Sequence, residues 1–123
     1  MASILLIDDD PQIREALAGC MSLDGHQVHL AENGRAGLEI IRTVAVDVVI
    51  TDIIMPEQDG FEVIMSLGAR LQPPKIIAIT GGSAYLDHEM LLKIASNMKV
   101  NKVLQKPVRF EEISKAIAEV LGG

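Results

Sequence analysis

The sequence predicts an α/β fold, a doubly wound (βα)5 domain on a five-stranded parallel sheet. Short, β-branched apolar runs alternate along the chain with longer segments of helical period. The main runs are apolar almost throughout, which suits strands covered on both faces rather than strands with one wet face. Strands joined by connections long enough to hold a helix pair in parallel, through right-handed crossovers. With 123 residues, no internal repeat and no linker-like stretch, residues 1–123 read as one domain.

The first strand is Ile4–Ile7, a continuous apolar run that ends in three acids. The first helix follows. Ile13, Ala16, Leu17, Cys20 and Met21 recur on one helical face, Pro11 suits the first helical position, and Gly25 ends the segment. Gln27–Ala31 is a weaker, alternating second strand. Asn33-Gly34 signals a turn, and Ala36–Thr43 forms the second helix. Asp47–Thr51 (DVVIT) is the third strand, and Phe61–Leu71 a third helix stopped by Pro73-Pro74. Lys75–Thr80 (KIIAIT) is the fourth strand, and Leu86–Met98 a fourth helix. Val103–Leu104 is a short fifth strand before Lys106-Pro107. Phe110, Ile113, Ala116, Ile117 and Val120 mark the fifth helix.

Composition removes several function classes. Seventeen acidic residues against eleven basic ones give a net charge of −6, so the basic face of a nucleic-acid binder is missing. An anionic membrane surface is a poor partner for the same reason, and no apolar run approaches the roughly 20 residues that span a bilayer. The single cysteine, Cys20, allows neither an internal disulfide nor a multi-cysteine metal site, which suits a reducing cytoplasm. Cys20 and the methionines Met21, Met55, Met65, Met90 and Met98 read as core or turn filler. His26, His29 and His88 share no metal-ligand spacing.

In an open α/β sheet, ligands bind at the carboxyl ends of the strands. Asp8, Asp9 and Asp10 follow the first strand, Asp52 the third, Thr80 and Gly81-Gly82 the fourth, and Lys106 the fifth. Each feature alone has an ordinary reading: a helix N-terminus for the acids, an Asx turn for Asp52, strand composition for Thr80. Together they place Asp8, Asp9 and Asp52 in one cleft, where the carboxylates repel unless cations offset them. The Lys106 ammonium and a hard divalent ion are the expected compensation. A few carboxylates with a backbone carbonyl and waters describe an octahedral Mg²⁺ site with room for a phosphoryl oxygen. Thr80 adds a hydroxyl donor, and an Asp beside such cations is a competent phosphoryl acceptor.

At these residues the chain resembles a response-regulator receiver domain. Ile4–Arg14 (ILLIDDDPQIR) is similar to that family's first strand, acidic pair and first helix. Asp47–Val63 (DVVITDIIMPEQDGFEV) resembles its phosphoacceptor strand and Met-Pro turn, while Thr80-Gly81 and Lys106-Pro107 follow in the family's order. The resemblance covers the whole chain. It implies a flavodoxin-like sheet of order 2-1-3-4-5 and a cis Lys106-Pro107 bond. It implies a signalling switch rather than an enzyme, cytoplasmic, taking a phosphoryl group onto Asp52 from a histidine kinase or phosphotransfer protein. Asp9 and the Ile54 carbonyl would join Asp52 on Mg²⁺, with Asp8 acting mainly through water. Lys106, Thr80 and the Ile53 and Gly81 amides would contact the phosphoryl group. The expected recipients are a downstream protein target or output domain, and a homodimer is among the expected assemblies.

Several positions depart from the family pattern. Val103 stands where an aromatic residue is common, Val108 follows Lys-Pro where Phe is common, and Lys99-Val100 replaces a Gly-Ala pair. The stretch between Thr80 and Lys106 is also longer than the resemblance implies. These changes leave the acceptor site intact and alter the face built from the fourth helix, fifth strand and fifth helix. Two other classes of function use similar residues. A Mg²⁺-dependent phosphatase with an Asp nucleophile would carry a second Asp two residues later, where Ile54 stands. A docking module independent of phosphorylation would have lost one of Asp9, Asp52, Thr80 or Lys106, and all are present.

Overall fold

The computed structural model of the chain describes residues 2–52, 59–70, 72–80 and 100–122. Five strands form one sheet: β1 Ser3–Ile7, β2 Gln27–Ala31, β3 Val48–Asp52, β4 Lys75–Thr80 and β5 Lys102–Gln105. All neighbours pair in parallel, in the order β2-β1-β3-β4-β5, the flavodoxin-like order. Among the described residues the helices are α1 Pro11–Leu23, α2 Gly34–Thr43, α3 Asp59–Gly68 and α4 Phe110–Val120. The helix expected at Leu86–Met98 lies outside them.

Successive strand residues point to opposite faces, so each strand feeds two cores. Leu5, Ile7, Val49, Ile76 and Ala78 face α2 and α3, and bury against Ile41, Val63, Ile64 and Leu67. Ile4, Leu6, Val48, Ile50, Ile77, Ile79 and Leu104 face α1 and α4, and bury against Leu17, Met21, Ile113, Ala116 and Ile117. The register aligns these rows: Leu5 pairs with Val49 and Val49 with Ile76, while Leu6 pairs with Ile50 and Ile50 with Ile77. Double coverage is why the strands read as unbroken apolar runs.

Several boundaries differ from those read in the sequence. Asn33, read as part of a turn, is the N-cap of α2, its Oδ1 accepting from the Ala36 N–H at 2.8 Å, so the helix begins at Gly34. α3 ends at Gly68 rather than Leu71, before Pro73-Pro74, so the prolines do not stop it. β3 includes Asp52, and β5 extends to Lys102 and Gln105. Cys20 is half-buried rather than fully buried, and Met65 on α3 is 68% exposed rather than core filler. Met21 is fully buried, as expected; Met55, Met90 and Met98 lie outside the described residues. Val103 is half-buried and packs against the core on the α2–α3 side of the sheet.

Candidate functional site

The alternation that sorts the core also sorts the acids. Asp8 and Asp52 continue the even-numbered rows of β1 and β3, which face α1 and α4. The last registered pair is Ile7 with Thr51, so Asp8 lies beside Asp52 one step further on. Adjacent strands run about 4.8 Å apart, close enough for neighbouring carboxylates to share one ion. Oxygens of Asp8, Asp9 and Asp52 lie within 4.8 Å of one another.

The acidic triplet divides into three roles. Asp8 is fully buried; its N–H donates to the Ala31 carbonyl at 3.1 Å and its Oδ1 accepts from the Asp10 N–H at 2.9 Å. Asp9 is exposed. Asp10 is the N-cap of α1, its Oδ1 accepting from the Gln12 and Ile13 amides at 2.9 and 3.4 Å. The helix-terminus reading therefore applies to Asp10, and leaves Asp8 and Asp9 for the cleft.

Lys106 lies just past the end of β5. Its Nζ donates to Asp52 Oδ2 at 2.7 Å and stands 3.7 Å from Asp8 Oδ2. The Lys106-Pro107 bond is cis, as the resemblance implied. Burial raises the Asp8 carboxyl above its ordinary value; the Asp10 N–H and the Lys106 charge oppose that, and the charges of Asp52 and Asp9 reinforce it. Burial works against the Lys106 charge, but its bond to Asp52 and the charges of Asp52, Asp8 and Asp9 outweigh it, so the ammonium is held above its ordinary range.

The donor set fits a hard divalent cation. Three carboxylates converge with one ammonium between them, and Asp8 Oδ2 is buried without a hydrogen-bond donor among the described residues. Such an oxygen is served by an ion or its water. The chemistry of the set, all carboxylate oxygen, suits Mg²⁺.

The structure thus brings together Asp8, Asp9, Asp52 and Lys106 of the residues expected from the sequence. Thr80 ends β4, on the strand that neighbours β3. Ile53, Ile54 and Gly81 lie outside the described residues. Arg14 carried no role in the sequence reading, yet its Nη1 donates to the Asp8 carbonyl at 2.7 Å. No sequence signal marks a guanidinium bond to a backbone carbonyl. An apolar cavity of about 470 Å³ opens beside Lys106, lined by Ile13, Ala16, Leu17, Ile79, Pro107 and Val108.

A family model described as the response regulator receiver domain matches residues 4–118. Protein PilH of Pseudomonas aeruginosa is 35% identical over 126 residues that cover 100% of both chains. The positive alginate biosynthesis regulatory protein of the same organism is 35% identical over 118 residues, 94% of this chain and 45% of that protein. The chain spans about half the length of that relative and of other curated relatives it matches. Among solved structures, the chemotaxis response regulator CheY4 of Vibrio cholerae is similar at a TM-score of 0.85 and 25% identity, over 98% of each chain. A response regulator receiver domain protein from Clostridium thermocellum is similar at 0.81 and 29% identity, over 98% of this chain and 94% of that one.

Proposed function

Because the chain belongs to the response regulator receiver domain family, whose members are phosphorylation-dependent switches of two-component signalling, we propose that Asp52 is its phosphoryl acceptor. The observation that carries this is the 2.7 Å bond from Lys106 Nζ to Asp52 Oδ2, inside a cluster completed by Asp8 and Asp9. Asp52 sits at a strand end and is 3% exposed, so bulk water is largely excluded from its carboxylate.

An Asp52 oxygen attacks the phosphorus of a phosphohistidine on the donor protein. An oxygen–phosphorus bond forms, the phosphorus–nitrogen bond breaks, and its electron pair leaves on the imidazole nitrogen. Asp52 then carries an acyl phosphate. Lys106 holds the carboxylate in place before transfer and pairs with the phosphoryl oxygens afterwards. Thr80, with the Ile53 and Gly81 amides, supplies the remaining donors in this reading. Asp9, Asp52 and the Ile54 carbonyl would hold Mg²⁺, with Asp8 acting through water. When bound, the ion neutralises charge on the transferring group.

The donor is a histidine kinase or a histidine phosphotransfer protein, and the recipient a protein target or an output domain. A cytoplasmic location belongs to the same reading. Among the described residues no helix is long and apolar enough to cross a membrane.

The test is labelling by acetyl phosphate, read by intact-mass spectrometry, with beryllofluoride binding as a stable mimic. The parent is expected to gain one phosphoryl group in Mg²⁺ and none in EDTA, and Asp52→Asn none in either. Equal labelling of Asp52→Asn, or labelling undiminished in EDTA, overturns the assignment.

A further inference from the structure

We propose that Arg14 is a positioning residue for the acidic cluster, its guanidinium clasping the Asp8 carbonyl so that Asp8 and Asp9 stay arranged for a divalent cation. The proposal rests on the metal-site reading above and adds a residue that does not touch the ion.

The geometry is a two-point grip. Arg14 Nη1 donates to the Asp8 carbonyl at 2.7 Å, a short bond with a charged donor. The Arg14 backbone N–H donates to the Asp10 carbonyl at 3.0 Å. One residue of α1 therefore holds the Asp8–Asp9 peptide through its side chain and the Asp10–Pro11 peptide through its backbone, while Asp8 Oδ1 holds the Asp9–Asp10 peptide between them. One further bond completes the frame: the Asp8 N–H to the Ala31 carbonyl.

The cluster needs such a frame at Asp9. Asp8 is held by burial, and Asp52 by burial and by Lys106, but Asp9 is exposed. Its carboxylate lies within 4.8 Å of two others and is repelled by both. An exposed side chain on a free junction would swing into water and leave the cluster one donor short. Pinning the peptides before and after Asp9 removes the backbone part of that escape. Arg14 forms no ion pair among the described residues; its guanidinium meets the junction from α1 through the Asp8 carbonyl, while Lys106 approaches the carboxylates from β5.

The experiment is calorimetric titration of the full chain with Mg²⁺, with melting curves in EDTA to report the fold independently. Arg14→Met, which keeps the stem without charge or donor, is expected to weaken Mg²⁺ binding about tenfold, the lower end for outer residues that orient metal ligands. Arg14→Lys, with the charge and one reaching donor, is expected to recover part of that loss. Should Arg14→Met fail to melt cooperatively, Arg14→Gln replaces it under the same criterion. A dissociation constant within twofold of the parent overturns the proposal, and so does an Arg14→Lys variant no better than Arg14→Met. Asp9→Asn serves as the control. If it binds Mg²⁺ as tightly as the parent, the metal-site reading itself fails; if it loses binding while Arg14→Met keeps it, only the role of Arg14 falls.

Discussion

Asp8 pays for its position with a carboxyl raised above the ordinary 3.8, first by burial and then by the charges of Asp52 and Asp9. The folded chain therefore keeps this proton to higher pH than the unfolded chain does. The stability linked to Asp8 is full below 3.8 and is lost as pH rises through the folded value. Asp8→Asn keeps an acceptor for the Asp10 N–H and removes the buried charge. In EDTA at pH 7.5 it is expected to be more stable than the parent, with less decline between acid and neutral pH, as read from denaturant midpoints. A less stable Asp8→Asn would mean that attraction to Lys106 outweighs burial. Lys106 follows the same sign at higher pH, although here it is the charged form that the fold favours. Its stabilisation is full below 10.5 and is lost as pH rises through the higher folded value. Lys106→Met removes a charged hydrogen bond and leaves the carboxylates facing one another, so a loss of about 2 kcal/mol is expected without metal, shrinking when Mg²⁺ is added. Thermal unfolding with and without the ion measures both quantities.

The junctions between strands and helices aim the site. α1 starts where the cleft needs it because Asp10 caps it and Pro11 takes the position whose missing N–H costs nothing. Asp10→Ala is expected to cost about 1 kcal/mol in stability, the usual loss for an N-cap, checked by denaturant unfolding. α2 shows a different constraint. A Cβ on Gly37 would meet Ile7 Cδ1 at 2.5 Å and Cγ1 at 2.9 Å, so the helix lies against β1 only because this position has no side chain. Gly37→Ala would gain roughly 1 kcal/mol of helix propensity but force Ile7 aside at about 1–3 kcal/mol, so a net loss near 1 kcal/mol is expected. Ile7 directly precedes Asp8, so the variant should also weaken Mg²⁺ binding, readable in the same calorimetric titration.

The whole molecule is a sheet covered on both faces, with its charged cleft at the carboxyl ends of the central strands. A ligand bound only by the folded state adds about 2.7 kcal/mol at a hundredfold excess over its dissociation constant. Melting curves with and without Mg²⁺ should separate by a corresponding shift, and Asp9→Ala should remove most of it. A shift that survives Asp9→Ala would place the ion elsewhere.

Local pattern determined most of this protein. Unbroken apolar runs such as LLI in β1 and VVI in β3 carry their strands because a doubly covered strand has no wet face to encode. The acids, Thr80 and Lys106 stand at strand ends, where parallel strands deliver side chains to one edge. The family motif added the strand order and the cis bond. The start of α2 was less legible at Asn33, because a turn signal and an N-cap use the same residues. Only the tertiary structure decided how the acidic triplet divides. Asp8, Asp9 and Asp10 are chemically identical in the sequence, and become buried carboxylate, exposed carboxylate and helix cap through the register of β1 against β3 and the point at which α1 starts. The grip of Arg14 on the Asp8 carbonyl was hidden for the same reason: a backbone acceptor has no letter in the sequence, and its place in space is set by everything packed around it.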